Sequence, residues 1–293
     1  MITRTHIVSA GLIGALLAVL VYGALPAKAI EGESIVLSPA SLRTEVEAGN
    51  TLNEKLTIIN DGTTSYDFIL YASPYSVTDS DYTPNYTEDK PNTNLYTWVS
   101  FEKTRYTLNP GENVEVPYTI SVPADATPGG HYSVIFAETQ VSEDTGQIAR
   151  KKRVGAIVYA TVEGDYIMSG RQISGSIDWL QLGGPITGLV TVENDGNSDF
   201  EMQEKMTVKN VLGGTVYEKT GERIVLPKTT RDVSFAWTES PLMGLYNVSI
   251  ETTVLDQKTV TQSWVLLLPA WLLVVMALSI VGIIYYAFFR HRR

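Results

Sequence analysis

Apolar and polar residues alternate through most of the chain between residues 31 and 262, as they do at 114–120 and 245–250. A period of two is typical of β-strands that bury one face. Clusters of Gly, Pro, Asn and Asp interrupt the pattern about every 8–12 residues, which is the spacing of short strands in sandwiches. No part of this region shows a helical period. The pattern therefore predicts an all-β fold built from β-sandwiches.

The two halves of this region share three landmarks in the same order. They are a strand entering an Asn-Asp-Gly turn (60–62 and 194–196), a strand end carrying a proline (106–110 and 224–227), and a Pro-Gly segment before a strand (128–132 and 241–246). Asn and Gly in such turns suit positive φ values. We therefore predict two tandem immunoglobulin-like sandwiches, at 30–165 and 166–262, and the first carries an insertion at 74–96.

An apolar segment lies at each end of the chain. Residues 1–29 have the features of a secretory signal, with Arg4, an apolar run at 7–22 and small residues at Ala27 and Ala29. Cleavage there would begin the mature chain at Ile30, and the alternative is an uncleaved N-terminal anchor. Either reading predicts that the middle region is exported.

Residues 264–289 form an uncharged run of 26 residues. At ~1.5 Å per residue this run is ~39 Å of helix, which is enough to cross a hydrocarbon core of ~30 Å. The following tail, 290–293, carries three arginines and marks the cytoplasmic side. The sequence thus predicts a single-pass protein of the cell membrane, with its N-terminal region extracellular and its C-terminus cytoplasmic.

Composition and charge exclude several classes of function. The chain has no cysteine and three histidines, which excludes disulfide scaffolds and thiolate zinc sites. Five of the 22 basic residues lie in the terminal segments, whereas all 32 acidic residues lie between Glu31 and Asp256. The middle region therefore has 17 basic and 32 acidic residues, a net charge of −15. Such a surface repels nucleic acid. An exported region without cysteine also favours a bacterial or archaeal surface over an animal one.

The insertion at 74–96 is the candidate binding site. Long loops in compact domains are often functional, and tyrosine faces stack on sugar rings while Asn and Asp bind hydroxyl groups. The candidate ligand-binding residues are Tyr75, Asp79, Asp81, Tyr82, Tyr86 and Tyr96. Two alternatives remain open: oxygen ligands for calcium from Asp79, Asp81 and 88–89, or a solvated loop packed by its own tyrosines. No metal site and no cofactor is predicted.

Catalytic motifs are weak. Ser100 and Lys103 match a Ser-x-x-Lys pattern, and 219–221 reads Lys-Thr-Gly, as in penicillin-recognising enzymes. That chemistry needs a serine at the start of a helix in a mixed α/β fold, whereas Ser100 lies in a β context and the two motifs fall in different predicted domains. We expect a protein that is not an enzyme.

Five segments carry a resemblance to a known family: 36–39, 48–49, 56–60, 108–112 and 128–136. Together with the signal, the two β-domains and the C-terminal anchor, they resemble the WxL-interacting protein family of bacterial cell surfaces. The resemblance implies that the first domain associates with peptidoglycan and the second with partner or host proteins. The second domain and the tail are short for that family. Pilus chaperones also pair two sandwiches, but they are soluble, so the predicted anchor argues against that class.

Two functional hypotheses follow. The first is a non-catalytic, membrane-anchored surface protein that binds cell-wall glycan, another surface protein, or both. The second is a structural or accessory subunit of a membrane complex, with the transmembrane helix as its contact. Replacing the helix with an unrelated apolar helix separates them, because display survives this change and complex assembly does not.

Overall fold

The structure is a computed structural model that describes Gly32 and residues 34–140 and 151–290. The predicted signal at 1–29 and the last three residues of the tail lie outside the described residues. Two β-sandwiches follow one another along the chain, and an apolar helix completes it.

The first sandwich contains two sheets. Its elements are β1 (Ile35–Ser38), β2 (Ser41–Val46), β3 (Thr51–Asn60), β4 (Tyr66–Pro74), β5 (Ser76–Val77), β6 (Pro84–Asn85), a 3-10 turn (Asn94–Thr97), β7 (Val99–Phe101), β8 (Arg105–Leu108), β9 (Asn113–Ser121), β10 (Gly129–Thr139) and β11 (Arg153–Val162). One sheet has the order β1-β3-β9-β7, and the facing sheet has the order β2-β11-β10-β4-β8. β5 and β6 form a separate small hairpin.

The second sandwich repeats this topology. Its strands are β12 (Gly170–Ser176), β13 (Leu180–Leu182), β14 (Ile186–Asn194), β15 (Phe200–Asn210), β16 (Thr215–Val225), β17 (Thr229–Trp237), β18 (Gly244–Val254) and β19 (Gln257–Leu268). The sheet orders are β12-β14-β17 and β13-β19-β18-β15-β16. In both domains a short early strand pairs in parallel with the last strand, β2 with β11 and β13 with β19. The prediction of two tandem immunoglobulin-like sandwiches is confirmed.

The alternation of the sequence becomes the two hydrophobic cores. In β3 the side chains of Leu56 and Ile58 are buried in the first core, and Val190 and Val192 of β14 are buried in the second. β10 differs because its residues are buried on both faces. Its second face is covered by the insertion and by the second domain, as described below.

Asn60 ends β3 with a fully buried side chain. Its Nδ2 donates to the carbonyl oxygens of Thr64, at 2.9 Å, and Leu108, at 3.1 Å. Its Oδ1 accepts the N–H of Gly62 at 3.0 Å. One amide thus closes the turn and ties β3 to the end of β8, which satisfies backbone groups that the core would otherwise leave unpaired.

Asn194 occupies the equivalent place in the second domain. Its Nδ2 donates to the carbonyl oxygens of Ser198, at 2.9 Å, and Val225, at 2.8 Å, and its Oδ1 accepts the N–H of Gly196 at 2.9 Å. The repeated Asn-Asp-Gly sequence is therefore a repeated structural device.

The prediction of positive φ values at these turns was wrong, because neither the asparagines nor the glycines have a positive φ. The glycines are required by close approach instead. A Cβ on Gly62 would lie 2.5 Å from the carbonyl oxygen of Gly32, and one on Gly196 would lie 2.3 Å from that of Ile167. The chain that enters each domain crosses the turn too closely for any side chain.

Two predicted boundaries change. The inserted structure extends beyond residue 96, because the 3-10 turn and β7 also lie between β4 and β8. The C-terminal helix, α1 (Ala270–Arg290), begins six residues after Trp264. Residues 257–268 remain in β19 because they pair with β18 as far as Leu267, and Pro269 separates strand from helix. The apolar run is thus shared between a strand and a helix, which hydropathy alone cannot divide.

α1 is long and apolar enough to cross a membrane, and it does not pack against either sandwich. This is consistent with a single membrane span.

Candidate functional site

The insertion folds over the outer face of the β10 sheet. Tyr86 packs edge-on against Phe136 with ring centroids 5.0 Å apart, and Tyr75 packs against Tyr159 at 6.2 Å. The guanidinium of Arg153 lies 4.2 Å from the centroid of the Phe136 ring. Aromatic side chains thus attach the insertion to its own domain through a second apolar cluster outside the sandwich core.

Tyr82 extends from the insertion to the second domain. Its Oη lies 2.6 Å from Oγ1 of Thr229 and accepts the N–H of Leu226 at 2.8 Å. The guanidinium of Arg231 lies 4.1 Å from the ring centroid, a cation–π contact. Burial raises the pKa of Tyr82. Tyr82 also adopts a φ of 61°, so its backbone occupies an unfavourable region in order to make this contact.

Ser80 makes a second contact between the insertion and β17. Its carbonyl oxygen accepts the N–H of Asp232 at 2.7 Å, and its hydroxyl donates to Oδ2 of the same residue at 2.6 Å. The hydroxyl of Thr191 donates to Oδ1 at 2.7 Å. These two hydroxyl donors lower the pKa of Asp232, which keeps the carboxylate charged at this contact.

Asp199 is the most buried charged group between the domains. Its side chain has no exposed surface, and its Oδ2 pairs with Nη2 of Arg43. The hydroxyl of Tyr132 donates to its Oδ1 at 2.9 Å and accepts its backbone N–H at 3.1 Å. Burial, followed by the charge of Asp199, raises the pKa of Tyr132. A carboxylate of the second domain is therefore enclosed by two side chains of the first.

The Pro-Gly-Gly segment at 128–130 is shaped by this junction. The N–H of Gly130 donates to the carbonyl oxygen of Asn197 at 2.9 Å. A Cβ on Gly129, which has a φ of 118°, would lie 2.6 Å from that same oxygen, and a Cβ on Gly130 would lie 1.7 Å from Oη of Tyr132. Both positions need glycine because the space that a side chain would fill is already occupied, by the backbone of Asn197 at Gly129 and by the phenol of Tyr132 at Gly130.

A cleft of about 360 Å³ opens between the insertion and the second domain. Its lining includes Tyr75, Asn92 and Lys90 from the first domain and Asn197 and Lys228 from the second. Nζ of Lys90 lies 2.8 Å from Oε1 of Glu88, and Nζ of Lys228 donates to the carbonyl oxygen of Asp195. The cleft combines an aromatic wall, two amides and two ammonium groups, which is a polar set suited to hydroxyl-rich or anionic ligands.

The six predicted site residues separate into two groups. Tyr75, Tyr82 and Tyr86 belong to the aromatic cluster, where Tyr75 is only 6% exposed and the other two are half-buried. The other three lie apart from it: Asp79 and Asp81 are exposed, and Tyr96 is half-buried beside Asp89, with 3.4 Å between hydroxyl and carboxylate. Ligand binding by these six residues stays a prediction.

Asp79 stabilises the conformation of the loop. Its Oδ1 accepts the N–H of Thr83 at 3.0 Å, and hydrogen bonds from Thr83 lower its pKa. Within residues 34–140 and 151–290, no group of three or more acidic or histidine side chains could hold a metal ion.

Sequence reasoning did not identify Arg43, Tyr132, Asn197 or Asp199 as interface residues. Tyr132 lay in a recognised motif, but nothing in the pattern distinguishes a tyrosine in a core from one at a domain junction. Asp199 is 67 residues away from Tyr132. Only the relative placement of two domains brings such residues together.

The fold and junction define a class: a protein of two immunoglobulin-like sandwiches, packed together and followed by an apolar C-terminal helix. No family model matches the chain, and no curated protein matches it. Similar solved structures include a chain of the chaperone–tip adhesin complex of CFA/I fimbriae, with 11% identity, a TM-score of 0.41 and coverage of 81% of this chain and 100% of that chain.

Two others are the class 5 fimbriae chaperone CfaA (11% identity, TM-score 0.40, 78% of this chain and 99% of that chain) and a chain from the Salmonella enterica structure of SafA pilin with the SafB chaperone (11%, 0.39, 82% and 99%). The chain is similar to these structures in its tandem sandwich fold. Sequence identity and structural similarity this low allow no inference about what this chain binds. It supports no family name, so the resemblance to WxL-interacting proteins stays a prediction.

Proposed function

We propose that this chain is a non-catalytic, membrane-anchored surface protein that binds a cell-wall glycan in the cleft between its insertion and its second domain. The observation that carries the proposal is the lining of that cleft, with the amides of Asn92 and Asn197 and two lysines beside the largely buried ring of Tyr75. Amide and ammonium groups bind the hydroxyl and acidic groups of sugars.

The two lysines favour an anionic polymer. Lys90 and Lys228 face one cleft in a region whose net charge is −15. Lys90 is paired with Glu88, but its ammonium and that of Lys228 still have N–H groups that can donate to an anionic ligand, whereas the surrounding acidic surface repels such a ligand.

Rigid display supports the same function. The contacts of Tyr82, Ser80 and Asp199 hold the two domains together. β19 then leads into α1 with Pro269 alone between them. At ~3.3 Å per residue, the 12 residues of β19 hold the cleft about 40 Å above the membrane surface.

Wall binding can be tested by charge reversal at the cleft. In the full chain, Lys90→Glu with Lys228→Glu should weaken sedimentation with purified cell walls at least tenfold. Lys55→Glu with Lys258→Glu is the matched control, because these lysines are also exposed and lie close to oxygen acceptors, here carboxylates at 2.9 and 2.7 Å, but are elsewhere on the surface. Equal losses in both double variants would show that the cleft is not the binding site.

The topology belongs to the same proposal. Residues 31–262 then lie outside the cell and the tail in the cytoplasm, an orientation supported by the signal-like sequence at 1–29 and the basic residues at 290–293. Protease added to intact cells after wall removal should digest the bulk of the chain. Loss of a terminal fragment alone would contradict this orientation.

An accessory subunit of a membrane complex is the second candidate. Ala270–Phe288 of α1 is not buried against the sandwiches, so most of its surface is open to lipid or to a partner helix. Replacing residues 270–289 with an unrelated apolar helix should leave wall binding intact under the first proposal. Loss of a co-purifying membrane protein, with wall binding absent in both forms, would favour the second.

A further inference from the structure

The strand register of the second domain places three loops at the end where β19 enters α1. Three pairs fix this end: Gly244 with Leu267, Asn210 with Tyr246, and Ile186 with Trp237. The loops at 183–185, 211–214 and 238–243 therefore lie beside the start of the helix. We call these loops and the adjoining β13 strand the apolar end.

Large apolar side chains are exposed throughout the apolar end. Leu212 is 91% exposed at the tip of the β15–β16 hairpin, Leu242 is 80% exposed in the β17–β18 loop, and Trp179 is 67% exposed just before β13. Leu182 and Met243 are exposed beside them. The three loops together contain one charged residue, Glu239. Exposed leucines on two of these loops, together with Leu182 at the end of β13, indicate that something covers that end.

The opposite end of the same domain is different. Its loops, at 195–199, 226–228 and 255–256, carry Asp195, Asp199 and Lys228 and pack against the first domain or face solvent. The segment that enters this end of the domain also exposes Ile167 and Met168, so exposed apolar side chains occur at both ends, but Leu212 and Leu242 at the helix end are more exposed than either.

Continuity with α1 identifies the occupant. β19 ends at Leu268, and Pro269 alone precedes the helix, so the loops lie level with the first turn. Trp271 in that turn is exposed, and tryptophan is typical of the membrane–water interface. The headgroup layer on each side of a bilayer is roughly 5–8 Å thick, which leaves no room for a protein between these loops and the lipid.

We propose that the apolar end is a lipid-binding surface that inserts Leu182, Leu212, Leu242 and Met243 into the headgroup layer of the membrane. This inference rests on the proposed membrane span of α1. The apolar end of the second domain then lies in the membrane–water interface beside the first turn of α1, with Trp179 at its edge. We call this arrangement the collar.

The absence of cysteine allows a direct test in the full chain. Single variants Leu212→Cys, Leu242→Cys, Lys258→Cys and Ile280→Cys each carry one spin label after reconstitution into phosphatidylcholine vesicles. Lys258 is the matched exposed control at the other end of β19, about 33 Å from Leu268 at ~3.3 Å per residue. Ile280 lies in the middle of α1 and reports the span itself. Circular dichroism checks that each variant folds.

The measurement compares collisions of each label with oxygen, which concentrates in the bilayer, and with a water-soluble nickel chelate. The labels at 212 and 242 should lose accessibility to nickel and gain accessibility to oxygen relative to the label at 258, with values between those at 258 and 280.

Three results would overturn the inference. Labels at 212 and 242 as accessible to nickel as the label at 258, with 280 in the hydrocarbon, would leave the anchor intact and refute the collar. Protection from both reagents would place a second copy of the chain on this surface. A label at 280 that is accessible to nickel would refute the membrane span, and the collar with it.

Discussion

The hydroxyl of Tyr132 should account for much of the coupling between the two domains, and Tyr132→Phe removes it with little change in shape. Tyr132 has no exposed surface. The variant leaves Asp199 with one hydrogen bond fewer at Oδ1, where the distance is 2.9 Å, and leaves its backbone N–H without that acceptor, at 3.1 Å. The carboxylate keeps Arg43 as its partner.

The magnitude follows from burial. A hydrogen bond to a charged group contributes about 1.5–3 kcal/mol, and a buried donor left unpaired costs about 1–3 kcal/mol. Because the two effects share one hydroxyl, we expect a loss of about 2–3 kcal/mol in the free energy of unfolding. For a cooperative unit of 150–250 residues, 1 kcal/mol corresponds to ~2–4 °C. The unfolding midpoint should therefore fall by roughly 4–12 °C.

Scanning calorimetry of the full chain in detergent measures this loss. The wild type should unfold its sandwiches in one transition, and Tyr132→Phe should broaden or divide it. Tyr96→Phe is the matched control, because its hydroxyl makes a long contact of 3.4 Å at the surface, and it should change stability by less than ~0.5 kcal/mol. Equal midpoints in the two variants would refute the reasoning and leave Arg43 as the group that holds Asp199.

Three further outcomes are expected. Asn194→Ala should cost about 3 kcal/mol in urea unfolding, since it removes three buried hydrogen bonds, whereas exposed Asn113→Ala should be near neutral. Burial lowers the pKa of His131, so the unfolded chain binds the proton more readily than the folded chain. The free energy of unfolding should therefore be highest above pH ~6.5 and fall below it. His131→Asn should flatten that slope between pH 7 and 5.5. Gly130→Ala should match Tyr132→Phe in midpoint, because its Cβ displaces the phenol; a wild-type midpoint would contradict that contact.

Local pattern was enough to predict the sandwiches. Alternation in β3 and β14 marks the face that enters each core, and the repeated Asn-Asp-Gly turns indicate that one topology occurs twice. β10 shows where this information ends. Its apolar run at 134–137 indicates burial on both faces. The partner of the second face is an insertion and a loop from another domain.

The candidate site shows the same limit more strongly. The composition of the insertion identified a segment rich in tyrosine, but not that Tyr82 would bond to Thr229 across the domain junction. The cleft lysines, Lys90 and Lys228, were not singled out, because each is an ordinary surface residue until the domains meet. Contacts between distant segments depend on relative domain placement, which no periodicity encodes.

The direct passage of β19 into α1 has a mechanical consequence. If the cleft holds the wall while the helix holds the membrane, any tension between wall and membrane enters the second domain along the axis of its last strand. β19 shares eleven register pairs with β18, and antiparallel hydrogen bonds lie perpendicular to the strands. The load is therefore a shear that all of these bonds resist at once, whereas a peeling force would break them one by one. The second domain would therefore act as a tether, because the force passes along β19, the direction in which its hydrogen bonds resist load best.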